Sequence, residues 1–140
     1  MPILHVHVPE GLLAEGQKAR LFEGLTQAVL RGEAARDTPK TRSITWIFLH
    51  EMKKGTWAVG GIAADALRFM VDIELPQGTM NDRRRARMVQ GIHKALCEVA
   101  GRALALTDSM IKIHEIPDGQ WSAGGEILRL KDIVAYVRKP

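Results

Sequence analysis

The sequence predicts an α+β fold in which two tandem β-α-β units form a four-stranded mixed sheet with two helices on one face. Three observations lead there. The first is an internal repeat: an offset of 67 residues carries Pro9 onto Pro76 and Gly11 onto Gly78. The same offset carries Leu21, Phe22, Gly24, Leu25, Ala28 and Val29 onto Met88, Val89, Gly91, Ile92, Ala95 and Leu96. Further along the offset is 64: His50-Glu51 falls on His114-Glu115, Trp57 on Trp121, and Gly60-Gly61 on Gly124-Gly125. The three-residue difference belongs to the loop after each helix. The second observation is that each copy passes from an apolar strand to helical spacing and back. The third is the handedness of β-α-β crossovers, which makes each strand pair parallel.

The elements follow in order. Residues 2–8 alternate, with Leu4, Val6 and Val8 on one face and Ile3, His5 and His7 on the other, a pattern that calls for cover on both sides. The spacing predicts a helix over about 14–31 that stops near Gly32. Residues 43–50, Ser-Ile-Thr-Trp-Ile-Phe-Leu-His, read as the second strand, because β-branched and aromatic residues suit a pleated surface. The second unit repeats this with a strand at about 67–75, a helix from Asn81 or Asp82 to Val99, and a strand at about 108–115. The units span about 2–61 and 67–125, within one domain of residues 1–140. Helices on one face leave the other sheet face bare, and its apolar residues need cover. That predicts oligomerisation. The tail from Glu126 to Pro140 carries Ile127, Leu130, Ile133, Val134 and Val137, apolar enough to dock on a neighbour.

Composition removes several classes of function. At 140 residues, 46% hydrophobic and 26% charged, the chain matches an ordinary globular protein. No apolar run reaches the roughly 20 residues that span a bilayer, and no secretory layout opens the chain, so a cytoplasmic location without membrane attachment is expected. The single cysteine, Cys97, falls in a helical pattern and reads as a core residue. The net charge is +4, but the basic run Arg83-Arg84-Arg85-Ala86-Arg87 lacks an aromatic platform. It reads as a solvated helix face, and no nucleic-acid partner is expected.

Among chemistry-bearing residues, Pro2 stands first. Removal of Met1 ahead of so small a residue would leave a free secondary amine, a candidate base, acid or nucleophile. His5 and His7 share a strand face at a spacing a metal could use, but a hydrogen-bonded structural role fits better, and no metal is expected. His50 and His114 recur in both units, which points to a shared structural task. His93 falls mid-helix and is expected to face solvent.

A proline after the initiator, then Pro9-Glu10-Gly11, Gln17-Lys18 opening the helix, and Glu51-Met52-Lys53-Lys54-Gly55-Thr56-Trp57-Ala58-Val59-Gly60-Gly61, together resemble the tautomerase superfamily. Within it, 4-oxalocrotonate tautomerase is similar in motif, and this chain resembles the fused two-unit form over nearly all of residues 2–125. The resemblance implies a homotrimer, no cofactor, and Pro2 as the catalytic group. It implies that Trp57 and Val59, with Trp121 and Ala123 as second-unit counterparts, line a substrate pocket. The second-unit counterpart of Pro2 is Phe69, so each chain carries one proline site. Both arginines that clamp substrate in the family are missing. Leu12 and Thr79 stand at one position, Trp46 and Met110 at the other. Lys112, two residues beyond Met110 and on the same strand face, is the expected replacement for binding a small carboxylate.

The expected activity is keto-enol conversion of a small 2-oxo or 2-hydroxy-dienoic acid, with Pro2 as base and then acid. An apolar pocket holding Trp57 would favour the neutral amine. The alternatives are a dehalogenase, hydratase or decarboxylase of a three-carbon acid, or a scaffold whose site has decayed.

Overall fold

The computed structural model describes residues 1–139. The central sheet has the order β2-β1-β5-β6, with β1 Ile3–Pro9, β2 Trp46–Met52, β5 Phe69–Pro76 and β6 Ser109–Ile116. Within each unit the two strands run parallel, pairing Ile3 with Trp46 and Phe69 with Ser109. The units meet through β1 and β5, which run antiparallel with Ile3 opposite Glu74 and His7 opposite Met70. Helices α1 (Glu15–Gly32) and α3 (Asp82–Ala100) cover one face, as the apolar spacing requires.

Leu4, Val6, Val8, Val71, Ile73 and Leu75 are fully buried beneath Leu21, Leu25 and Val29 of α1 and Met88, Ile92 and Leu96 of α3. The helices cross closely because small residues meet. A Cβ on Gly24 would lie 3.0 Å from that of Ala95, and one on Gly91 would lie 3.2 Å from that of Ala28. The two contacts are the same contact under the repeat. At the end of α1, Gly32 is tighter than either crossing glycine, since a Cβ there would stand 2.6 Å from the Met88 Cβ.

One boundary differs from expectation, and the turns and the tail add elements that the spacing left open. Ser43 closes a short helix, α2 (Pro39–Ser43), and the strand begins only at Trp46. The cause is local: the Thr38 hydroxyl caps the Thr41 N–H at 3.2 Å, and Pro39 presets the first helical φ. Each Gly-Gly turn closes a small hairpin, β3 (Ala58–Val59) with β4 (Ile62–Ala63) and β7 (Trp121–Ala123) with β8 (Glu126–Leu128). Gly60, Gly61, Gly124 and Gly125 all hold positive φ there. The tail after β8 forms α4 (Leu130–Arg138), which buries Ile133 and seats Leu130 against Gly78 of its own chain. Two side chains also depart from expectation. Cys97 is only partly buried, and His93 is turned in toward Ser109, its Nδ1 3.3 Å from the hydroxyl.

The uncovered sheet face carries Ile3, His5 and His7 beside Trp46, Phe48 and His50, then Met70, Asp72, Met110, Lys112 and His114. Trp46 is 56% and Met110 60% exposed. His5 Nδ1 lies 2.8 Å from His50 Nε2, and the His5 ring stacks on Phe48. His114 Nε2 lies 3.3 Å from Asp72, so the two recurrent histidines bridge strands on this face. No helix among the described residues is long and apolar enough to cross a membrane.

Candidate active site

The antiparallel centre decides where each unit's end falls. Because β2 runs parallel to β1, Met52 lies beside Pro9, at the end of β1 that faces the start of β5. The hairpin that follows β2 therefore arrives at Phe69. By the same geometry the hairpin following β6 arrives at the start of β1. Each unit thus roofs the head of the other.

The first cleft, of about 540 Å³, lies at the chain's amino end. Met1, Ile44, Ala123 and Gly124 line it, and α4 closes one side through Asp132 and Lys139. Pro2 is buried directly behind Met1, and its carbonyl accepts the Trp46 N–H at 3.1 Å. Trp121, next in the same hairpin, is buried at its base.

Glu33 is the charged group nearest the amino terminus, with Oε1 3.7 Å from the Met1 nitrogen. Burial pulls the pKa of this amino group below its usual value, while the Glu33 carboxylate pulls the other way. Burial likewise pushes the Glu33 carboxyl up, opposed by the ammonium and by Arg84. The sequence reading missed Glu33. Its signal was weak: a lone glutamate following the helix-ending Gly32.

The second cleft, of about 550 Å³, lies at the opposite end of β1. Trp57, Val59 and Phe69 line it with Arg68, Asp72 and Asp108. Under the repeat, Arg68 stands where the first cleft has Met1, Asp108 where it has Ile44, and Val59 where it has Ala123. Within one chain, Trp57 and Val59 therefore stand with Phe69 and away from Pro2.

Lys112 also belongs to the second half. Its Nζ lies 2.9 Å from Asp72 Oδ1, on the uncovered sheet face. Burial raises the Asp72 carboxyl, but Lys112 and His114 outweigh it and the net pKa is lowered. Inside the chain, then, the structure gathers Pro2 with the Trp121 hairpin and groups Trp57 and Val59 around the other head, while Lys112 lies further along the uncovered face beside Asp72. Arg42 is committed elsewhere, with Nη1 and Nη2 each 2.8 Å from a Glu23 oxygen and Nε 2.6 Å from Asp37. Arg84 donates to the Thr79 carbonyl at 2.8 Å. Among the described residues no cluster of three His, Cys, Asp or Glu side chains is arranged to hold a metal.

Comparison with known proteins follows this geometry. The family described as "Tautomerase enzyme" matches residues 2–64 and again 70–131, one match for each unit. No curated protein matches. Among solved structures, a member of the cis-3-chloroacrylic acid dehalogenase family superposes with a TM-score of 0.79 at 16% identity, covering 99% of this chain and 92% of that one. Pt0534 inactivated by 2-oxo-3-pentynoate gives 0.78 at 18%, covering 94% and 98%. The F6 fused 4-OT, an asymmetric trimer, gives 0.77 at 23%, covering 89% and 94%. These likenesses establish a common fold, while the double match to the family reaches nearly every residue from Pro2 to the start of α4. The chain belongs to the tautomerase family, in the form that carries two fused units.

Proposed function

We propose that this protein is a tautomerase-type enzyme in which Pro2, freed by removal of Met1, interconverts the keto and enol forms of a small 2-oxo or 2-hydroxy-dienoic acid. The observation that carries this reading is the position of Pro2: buried at the head of β1, in the family match from its first residue, and directly behind Met1, which lines a cleft that removal of Met1 would extend toward Pro2. A neutral amine there removes a proton from the hydroxyl of the enol, or from carbon beside the ketone, and returns it at the other site. Burial lowers the pKa of the Met1 amino group at this head, and a Pro2 amine buried there would be pushed the same way. Glu33, whose carboxylate raises the pKa of the Met1 ammonium, would oppose that push wherever it stays beside the new terminus.

The substrate's carboxylate requires a cation. Lys139 lines the Met1 cleft and can meet it from the same chain. Lys112, held by Asp72 on the uncovered face, would reach a proline only across a subunit boundary. That boundary is part of the proposal. The exposed Trp46, Phe48 and Met110 would be covered in a homotrimer, the assembly of the fused 4-OT neighbours.

Asp132 favours a second reading, hydration of a small unsaturated acid. It lines the same cleft and offers a carboxylate to orient water beside a protonated proline. One reagent separates the two. With 2-oxo-3-pentynoate, a neutral Pro2 nitrogen adds to the triple bond, and the protein gains the mass of the whole reagent at its terminus. A hydratase instead adds water across the triple bond and releases a 2,4-dioxo acid. Intact-mass and peptide analysis of wild type and Pro2→Ala decides. Labelling of Pro2 supports the tautomerase, product release without labelling supports the hydratase, and an inert Pro2 with Met1 still attached overturns both.

A further inference from the structure

We infer that the second cleft, headed by Phe69, is a binding site for a small monocarboxylate with an aromatic or short aliphatic body. This inference does not rest on the activity proposed for Pro2. Its starting point is hydrogen bonding. Among the described residues, the buried side-chain nitrogens and oxygens without a partner are His7 Nδ1 and Arg68 Nε. Both residues line this cleft. A buried polar atom without a partner is costly, so two of them on residues of one cleft mark a place where a ligand would supply the missing partner, an acceptor for the Arg68 Nε–H and either role for His7 Nδ1.

The geometry of Arg68 selects the ligand's charge. Its Nη1 is tied to the Thr107 carbonyl at 2.7 Å and to Asp108 at 3.3 Å. That anchorage leaves the Nε–Nη2 edge, which matches the two oxygens of a carboxylate. The two acids in the cleft are already claimed by other cations. Asp108 accepts from Arg102 at 2.8 Å and from the Ala105 N–H at 3.1 Å. Asp72 accepts from Lys112 at 2.9 Å, with His114 Nε2 at 3.3 Å. Trp57, Val59, Phe69 and Met110 supply the apolar walls, and about 550 Å³ lies within the range of small-molecule pockets. The amine chemistry of the first cleft is absent. Phe69 is an internal residue, and its N–H is spent on the Asp108 carbonyl at 2.9 Å. The site binds and does not turn over its ligand.

The test titrates phenylacetate, and phenylacetamide as its uncharged counterpart, into the full-length Pro2→Ala protein, followed by nitrogen-15 NMR and calorimetry. Saturable shifts at the Trp57 indole N–H and at Arg68–Met70 are expected, with the amide at least tenfold weaker. Arg68→Met should weaken phenylacetate at least tenfold. Val59→Glu, on an exposed turn that tolerates charge, should do the same without touching the Arg68 anchorage. Shifts confined to the Met1 and Ala123 end, equal affinity for acid and amide, unchanged affinity in Val59→Glu, or no saturable binding would each overturn the inference.

Discussion

The two clefts occupy equivalent places in the repeat and present different groups. At one head stands Pro2 behind Met1, with Ile44 and Ala123 as neighbours; at the other stands Phe69 behind Arg68, with Asp108 and Val59. The first head ends the chain and holds an amino group beside Glu33. The second lies mid-chain, so its nitrogen is an amide already engaged in the sheet. The second head has no terminal amine, and a fully buried phenylalanine stands at the position of the proline.

Substitution at the two heads should therefore break different properties. Pro2→Ala is expected to lower turnover of a 2-oxo or enol acid about 10²–10⁴-fold, the usual contribution of a positioned acid-base group, with little change in unfolding midpoint. Phe69→Ala should instead cost about 3–5 kcal/mol in urea unfolding, because a fully buried aromatic leaves a cavity. If Phe69→Ala unfolds at the wild-type midpoint, the second head is not part of the core.

The helix crossing tests whether the halves are equal where they should be. Gly24→Leu and Gly91→Leu each press a side chain into the facing alanine, at Ala95 and Ala28 respectively. Each is expected to cost about 1–3 kcal/mol, by similar amounts, because the contacts are equivalent. A large difference between them in chemical denaturation would show that the repeat's symmetry stops at the backbone.

A smaller effect concerns pH. A base must be deprotonated to act, so the rate should fall as pH drops through the pKa of the terminal amine. Glu33 raises the pKa of the Met1 amine; with the carboxylate kept beside a Pro2 terminus, Glu33→Gln should move the acid limb to lower pH. An unmoved or upward-shifted limb in the rate profile would separate Glu33 from the amine. The smallest effect is expected from Lys112→Met. The exposed pair with Asp72 contributes at most about 1 kcal/mol to stability. A large loss of turnover in this variant would place Lys112 against a neighbour's proline in the assembly.

Much of this arrangement is legible in the residues. The repeat, the helical stripes and the strand pairs follow from spacing, because burial of one face imposes a period on the sequence. Pro2 stands out in the sequence for a chemical reason, since a proline next to the initiator is a rare source of a secondary amine, and its role is the proposal above. Glu33 was not, because its proximity to the terminus depends on how α1 ends beside β1. The helix at Pro39–Ser43 was missed in the loop before the second strand, with which it shares only Ser43, although Thr38-Pro39 and Thr41 carry a capping signal.

By itself, the sequence determined the two β-α-β units, the faces their helices bury and the single proline head. Only the tertiary structure decided which roof covers which head. Parallel pairing inside each unit sends its hairpin to the far end of its own strands, and antiparallel pairing of β1 with β5 makes that end the other unit's beginning. Trp57 therefore faces Phe69, and the Trp121 hairpin faces Pro2. No local pattern encodes that exchange, because it arises from the relative direction of two strands more than 60 residues apart, Ile3–Pro9 and Phe69–Pro76.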